Sequence, residues 1–174
     1  GTNGILNVGT VYIGDIQYRN LRMEFKDGRV VSAICDNFVE NGVIDQEAGH
    51  RLIVQGIMNG HETLPLGEFA IGTNTTAYAM AEKFGILDRL PILIVEKMGP
   101  HFAVGDTCYS WSEDSPMYNP DGKEMIARDN EVSILRKEDV SKAYFGVHTD
   151  ITIPYKELER ISAVHTDGTK IDII

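Results

Sequence analysis

Cysteine is scarce in this sequence, and basic residues are outnumbered by acidic ones. Only Cys35 and Cys108 occur in 174 residues, which is too few for a disulfide framework, and their separation excludes a zinc knuckle or a close redox pair. Sixteen Lys and Arg residues stand against 26 Asp and Glu residues, so the formal net charge is −10. A phosphate backbone would be repelled by this charge. The composition therefore predicts an acidic protein with reduced thiols and no nucleic-acid partner.

Long hydrophobic runs and several catalytic motifs are missing as well. The longest apolar stretches, such as Leu90–Val95, are far shorter than the roughly 20 residues that span a bilayer. No signal segment is recognisable, so we expect a cytoplasmic protein that does not associate with membranes. The sequence contains no Walker loop, no G-x-S-x-G elbow and no H-E-x-x-H helix.

Local patterns predict strands near both ends of the chain and helices between them. Alternating apolar residues predict a hairpin within Gly9–Ile34, turning at Asp27-Gly28, and a second Asp-Gly turn is predicted at Asp167-Gly168. A helix is predicted from Asp45, as N-cap, to about Met58. "TTAYAMAEKFG" predicts a short second helix that ends before its glycine, and "PILIVEK" and "HFAVG" predict short strands.

The fold class that these elements predict is α+β. We expect one domain over residues 1–174, with a mainly antiparallel or mixed β-sheet and two or three short helices. The segment Ser110–Ala143 is polar and rich in turn residues, and it is predicted to be a long excursion within that domain.

Five side chains form the candidate site: Glu68, Glu96, His101, His148 and Asp150. Each lies at or near the junction of an apolar strand and a glycine-containing turn, where a side chain can emerge into a cleft. Carboxylate oxygens and imidazole nitrogens together suit Zn²⁺, Co²⁺ or Mn²⁺, whereas a structural zinc site usually contains thiolates. The residue types therefore indicate a carboxylate–histidine metal site.

Ordinary structural roles explain parts of this pattern equally well. A histidine among apolar residues is more often a packed, hydrogen-bonded side chain than a ligand. The H-x-D unit puts His148 and Asp150 on one face of a strand, yet a second H-T-D copy occurs at His165–Asp167, where the Asp-Gly turn explains the aspartate without a metal. The residues alone leave both readings open.

Three ordered segments, "LGEFAIGTN", "VEKMGPHFAVG" and "GVHTDI", resemble the metal-binding region of the M29 family of aminopeptidases, also called the aminopeptidase T or thermophilic metalloprotease family. The preceding "GTVYIGDI" strand also resembles the stretch that comes before the first of these motifs in the family. The resemblance covers about Gly9 to Ile174. It implies that the chain is the C-terminal metal-binding part of a longer aminopeptidase.

The resemblance also implies roles for individual residues. Glu68, His101, His148 and Asp150 would be ligands of two divalent ions, either Zn, Co or Mn, which would activate water for hydrolysis of the N-terminal residue of a peptide substrate. Tyr109 would be the catalytic tyrosine that donates a hydrogen bond to the tetrahedral intermediate. Glu96 would support the metal ligands at the catalytic centre. A homodimer is implied too.

This sequence departs from the family pattern in three places. The family's other metal-binding glutamate lies upstream of the "GTVYIGD" strand, and the chain starts too late to contain it. Tyr109 lies about one residue beyond its expected spacing from His101, and the 110–143 excursion is longer than usual. We therefore expect little or no activity from this chain by itself.

Two other hypotheses stay open at the level of sequence. The chain could be a catalytically silent binding or assembly domain in which the carboxylates and histidines form structural hydrogen bonds. It could also be a single-metal hydrolase acting on another substrate, a hypothesis that rests on residue types alone. Metal binding separates the first of these from the aminopeptidase hypothesis.

Overall fold

The computed structural model describes residues 1–107, 117–118, 120, 122, 124–125 and 129–173. Its strands are β1 Gly4–Ile13, β2 Ile16–Lys26, β3 Arg29–Ile34, β4 Val39–Glu40, β5 Val43–Ile44, β6 Leu66–Ile71, β7 Pro100–Gly105, β8 Met117–Tyr118, β9 Glu124–Met125, β10 His148–Thr152, β11 Ser162–Val164 and β12 Lys170–Asp172. Its α-helices are α1 Gln46–Gly56, α2 Thr75–Lys83 and α3 Ile92–Val95. None of the helices in these ranges combines the length and apolar character that a membrane span requires.

Two three-stranded antiparallel sheets organise the described residues. The first has the order β1-β2-β3, and the second has the order β10-β7-β6. Pro65 links them, because it bridges to Arg29 of β3 while its carbonyl accepts a hydrogen bond from the Gly105 amide in β7. Short two-stranded ladders complete the structure. These elements confirm the predicted α+β class.

Local signals placed several elements correctly. The chain turns at Asp27-Gly28 between β2 and β3, and both residues have positive φ angles of 50° and 85°. The carboxylate of Asp45 accepts from the Ala48 amide at 2.9 Å and so caps α1. Gly85, with φ of 62°, follows the end of α2.

The strand predicted for "PILIVEK" is wrong. Residues Ile92–Val95 form helix α3, and Glu96–Met98 continue it as a 3-10 turn. Pro91 precedes the helix, and its carbonyl accepts from both the Ile94 and Val95 amides. A run of four aliphatic residues fits a strand or a helix by composition alone. Among the described residues no strand pairs with this run, so the local i→i+4 bonding prevails.

The predicted excursion at 110–143 is described only in part. Strands β8 and β9 pair with each other, and 3-10 helices occupy Ser133–Lys137 and Val140–Lys142. Asn130 anchors this segment to the second sheet, because its side-chain amide donates to the carbonyls of Gly105 at 3.1 Å and Leu66 at 3.4 Å. The excursion is thus fixed at this point beside β6 and β7.

One hydrophobic core joins the first sheet, helix α1 and the inner face of the second sheet. Leu21 and Met23 of β2 are fully buried, as is Ile53 of α1, because strand alternation and helix periodicity direct these apolar side chains inward. Val104 and Ile151 of the second sheet are fully buried in the same core. Each such side chain stabilises the fold by about 1.5–3 kcal/mol, so this core holds the second sheet in place.

Cys35 is expected to be chemically inert in the folded protein. The thiol is fully buried and donates weakly to the Gly49 carbonyl at 3.5 Å. Burial raises the pKa of the Cys35 thiol, so the reactive thiolate is scarce at neutral pH. In a Cys108→Ser variant, where Cys35 is the remaining thiol, Ellman's reagent should react only as fast as the protein unfolds. Rapid reaction under native conditions would contradict this.

Candidate metal centre

The pairing of three strands brings the predicted ligands onto one face of the second sheet. Central strand β7 contributes Ala103, which pairs with Glu68 of β6 on one side and with Asp150 of β10 on the other. His101 lies two residues before Ala103, and His148 pairs with Gly105, two residues after it. Because side chains alternate along a strand, Glu68, His101, His148 and Asp150 share one face, which is called the ligand face below.

The opposite face of the same sheet contributes Val104 and Ile151 to the core, whereas Phe69 on that face is 53% exposed. Phe69 and Phe102 stack there with ring centroids 4.7 Å apart, and Ile151 is fully buried. On the ligand face, Ala103 carries only a methyl group and Gly105 has no side chain. Space therefore remains between the carboxylates of the flanking strands. The alternation in "EFA", "HFAVG" and "HTDI" therefore separates a polar site from the core.

Nitrogen and carboxylate oxygen atoms meet on the ligand face at short distances. His101 Nε2 lies 3.2 Å from Glu68 Oε1, and His148 Nε2 lies 3.4 Å from Asp150 Oδ1 and 3.7 Å from Glu68 Oε2. Ligand atoms of Glu68, His101 and Asp150 all lie within 4.8 Å of one another. These three residues could hold a metal ion, and His148 adjoins two of them.

Backbone carbonyls orient both imidazole rings. His148 Nδ1 is 2.5 Å from the Asp106 carbonyl oxygen, and His101 Nδ1 is 3.3 Å from the Gly99 carbonyl oxygen. A carbonyl oxygen only accepts, so each Nδ1 carries the proton. In a neutral imidazole the lone pair then belongs to Nε2, the atom that faces the carboxylates. Metal-binding histidines are held by partners of this kind.

Glycines allow the strand that carries Glu68 to approach its neighbours. A Cβ at Gly67 would lie 2.4 Å from the Asp106 carbonyl oxygen, and a Cβ at Gly72 would lie 2.3 Å from the Lys97 carbonyl carbon. Neither contact is compatible with a side chain. The Gly72 amide also donates to the Gly99 carbonyl at 2.7 Å. The glycines of "LGEFAIG" thus set the depth at which Glu68 lies.

Glu96 lies on the turn that follows α3, and its side chain is 12% exposed. It forms an ion pair with Lys97, whose side chain is largely exposed. Its charge also acts on Asp150. Burial raises the pKa of Asp150, the charges of Glu96 and Glu68 raise it further, and His148 and His101 oppose the shift. A third carboxylate therefore adds negative charge to a half-buried site, which favours a bound cation.

An Asp150→Asn variant should be at least as stable as the wild type in metal-free protein at neutral pH. Because the pKa of Asp150 is raised in the folded state from its ordinary value of 3.8, the wild type loses stability as the pH rises from about that value through the folded pKa. Asparagine stays neutral, so it is not repelled by the carboxylates of Glu68 and Glu96. Thermal unfolding in EDTA at pH 4 and pH 8 checks this. The prediction is contradicted if the melting temperature of the variant, relative to that of the wild type, is clearly lower at pH 8 than at pH 4.

The structure thus brings together Glu68, His101, His148 and Asp150, with Glu96 close to them. Tyr109, the predicted catalytic tyrosine, lies outside the described residues. Sequence reasoning missed Asp106 and the carbonyl of Gly99, which orient the two histidines. A backbone carbonyl has no sequence signal, and nothing in the local sequence distinguishes Asp106 from an ordinary turn aspartate.

A cleft of about 620 Å³ lies beside the His101 end of this site. Gly99, whose carbonyl accepts from His101, lines it, and so does Thr152, the register partner of His101 in β10. Much of the rest is apolar and comes from the segment between α2 and β7: Leu87, Leu90, Pro91, Ile92, Val95 and Met98. Its volume falls within the range of small-molecule sites.

Comparisons with known proteins return nothing for this chain: no protein-family profile, no curated protein and no solved structure matches it. The site geometry and the motif resemblance are therefore the basis for inferring a function.

Proposed function

We propose that this chain is the metal-binding part of a metal-dependent aminopeptidase, which removes N-terminal residues from peptides. The observation that carries the proposal is the convergence of two imidazole Nε2 atoms and the carboxylates of Glu68 and Asp150 on one face of the second sheet. The order of the three motifs along the chain, which resembles the M29 aminopeptidases, supports the reaction class.

The donor set fits a divalent transition metal. Glu68, His101, His148 and Asp150 offer two nitrogens and carboxylate oxygens without any thiolate, the set that suits Zn²⁺, Co²⁺ or Mn²⁺. Calcium and magnesium prefer oxygen ligands alone. Both histidines are already held with Nε2 free of a proton in their neutral form, so binding requires little rearrangement of either ring. Two ions are proposed, and Glu68, His101, His148 and Asp150 would hold them.

An ion of this kind supplies Lewis acidity for peptide hydrolysis. The chain's own residues would hold it and shape the surroundings. His101 is almost fully buried, with 6% of its side chain exposed, whereas His148 is 26% exposed. His101 therefore lies at the more buried side of the site and His148 at the more exposed side. Glu96 would act as a nearby carboxylate that supports the ligands.

The adjoining cleft supports a substrate with an apolar side chain. Leu90, Val95 and Met98 line it, and Thr152 and Gly99 connect it to His101. An N-terminal residue of the leucine or phenylalanine class would bury apolar area there at about 25 cal/mol per Å². We propose peptides of this class as substrates.

One observation favours a second candidate, a non-catalytic domain of the same fold. His101 Nε2 and Glu68 Oε1 lie 3.2 Å apart, so a His101 ring protonated on both nitrogens would donate to Glu68 and satisfy both polar groups without an ion. In that case the carboxylates and histidines would stabilise the sheet and nothing more.

Metal titration decides between the two candidates, and the chain offers a matched pair of variants. Both His148 and His165 begin an H-T-D triplet, but His165 belongs to the exposed turn between β11 and β12. Calorimetry with Zn²⁺ and Co²⁺ on EDTA-treated protein should show wild-type binding, retained binding in His165→Ala and a loss of at least about tenfold in His148→Ala.

Absence of binding by the wild-type chain would refute the metal centre and favour the non-catalytic candidate. Equal loss in both histidine variants would show that the signal does not come from the proposed site. Where binding is found, release of p-nitroaniline from leucine p-nitroanilide by the metal-loaded protein tests the aminopeptidase reaction. Family resemblance predicts little turnover by this chain alone.

A further inference from the structure

We propose that Asp106 is a positioning residue that fixes His148 for metal binding, an inference that rests on the metal centre proposed above. Asp106 follows β7 directly, and His148 begins β10, the strand that pairs with it. The two residues are far apart in sequence, and the fold places them side by side at the more exposed side of the site.

The carboxylate of Asp106 accepts hydrogen bonds from three consecutive backbone amides in the turn before His148. One oxygen, Oδ1, accepts from the Phe145 amide at 2.6 Å. The other, Oδ2, accepts from the amides of Gly146 at 2.9 Å and Val147 at 3.1 Å. Hydrogen bonds to an ionised acceptor are roughly twice as strong as neutral ones. A single side chain therefore defines the path of the chain into β10.

The main chain of Asp106 completes the arrangement. Its amide donates to the Val147 carbonyl at 2.7 Å, and its carbonyl accepts from His148 Nδ1 at 2.5 Å. Asp106 thus holds both the backbone that carries His148 and one edge of the imidazole ring. Nε2 on the other edge is left facing Asp150 Oδ1 at 3.4 Å and Glu68 Oε2 at 3.7 Å.

Gly105 makes this close approach sterically feasible. Its φ is +103°, and a Cβ there would lie 2.1 Å from the Val147 carbonyl oxygen. Because no side chain is tolerated at this contact, residues 105–106 and 145–148 meet through backbone and carboxylate atoms. An aspartate that merely capped the turn would leave the ring of His148 unaffected, and this difference is measurable.

The test compares Asp106→Ala and Asp106→Asn with wild type, and uses Asp139→Ala as the matched control. Asp139 also accepts a backbone amide, from Ser141 at 3.0 Å, but it lies in an exposed 3-10 turn away from the ligand face. Two readouts are needed on the 174-residue chain. One is the affinity for Zn²⁺ and Co²⁺ by calorimetry. The other is the tautomer of His148 in metal-free protein, from long-range ¹H–¹⁵N NMR spectra assigned with His148→Ala.

We expect wild type and Asp139→Ala to show His148 as the Nδ1–H tautomer and to bind metal within about twofold of each other. Asp106→Ala should give a mixture of tautomers and lose about 10- to 100-fold in affinity, while Asp106→Asn, which keeps one acceptor oxygen, should fall between them. If Asp106→Ala does not fold, Asp106→Asn is judged by the same two readouts.

An unchanged tautomer in the Asp106 variants would overturn the proposal, even if metal affinity falls, because the loss would then not pass through His148. Unchanged affinity with a changed tautomer would overturn the link to metal binding. If the wild type binds neither Zn²⁺ nor Co²⁺, the proposed function fails separately, and the tautomer alone decides whether Asp106 positions His148.

Discussion

Replacement of Glu68 by alanine will lower the affinity for Zn²⁺ and Co²⁺ by at least about 100-fold. Loss of a residue that only hydrogen-bonds to a metal ligand already lowers metal affinity by about 10- to 100-fold, and Glu68 is proposed to be a ligand itself. Glu68 is the residue that touches both histidines: Oε1 lies 3.2 Å from His101 Nε2, and Oε2 lies 3.7 Å from His148 Nε2. Its removal takes away a proposed ligand and also the negative charge between the two rings.

Two controls define this result. Glu68→Gln keeps the size of the side chain and removes its charge, and it should lose most of the affinity as well, since an amide oxygen is a weaker ligand than a carboxylate. Glu82→Ala removes an exposed glutamate from α2 and should bind metal as the wild type does. Calorimetry, with circular dichroism to verify the fold, makes the measurement. Wild-type affinity in a folded Glu68→Ala variant would show that Glu68 does not bind the metal.

Alanine at Gly67 will destabilise the protein by at least about 2 kcal/mol, as expected for a forced steric clash within a packed sheet. The added Cβ would lie 2.4 Å from the Asp106 carbonyl oxygen, the same atom that accepts from His148 Nδ1. Strand β6 would have to move away from this oxygen, and Glu68 would move with it. A fall of about 4–8 °C in the melting temperature corresponds to that cost for a chain of this size.

Gly9→Ala is the matched control for this prediction. Gly9 also lies in a strand, but its Cβ would meet only the carboxylate oxygens of Glu157 at 3.3 Å, and that side chain can shift. We expect little change in its melting temperature. A Gly67→Ala variant that melts within about 1 °C of wild type would show that β6 does not pack against Asp106 as described.

Much of the fold could be predicted because its signals are local. The Asp27-Gly28 turn follows from the ease with which these residues adopt positive φ, and α1 begins after Asp45 because its carboxylate caps the first amides. The error at Ile92–Val95 has the opposite cause. A short aliphatic run contains no local preference strong enough to decide, and the strand partner that it would need is not there among the described sheets.

The candidate site likewise has features that the sequence predicts and features that it does not. Strand alternation alone predicts that His148 and Asp150 share one face, and the residue types indicate a transition metal. The distance between Glu68 and His101 depends on antiparallel pairing across β6 and β7, with a register shift between Leu66 and Glu68. A shift of this kind has no reliable sequence signal.

By itself the sequence determined the fold class, the turns and the set of residues able to bind a metal, because composition, turn chemistry and strand periodicity act over a few neighbouring residues. Only the tertiary structure decided which of these residues meet, which nitrogen of each histidine faces the carboxylates, and that Asp106 holds the turn before His148. Those outcomes depend on strand register and on contacts between residues up to about 80 positions apart, as between Glu68 and His148, which local patterns do not specify.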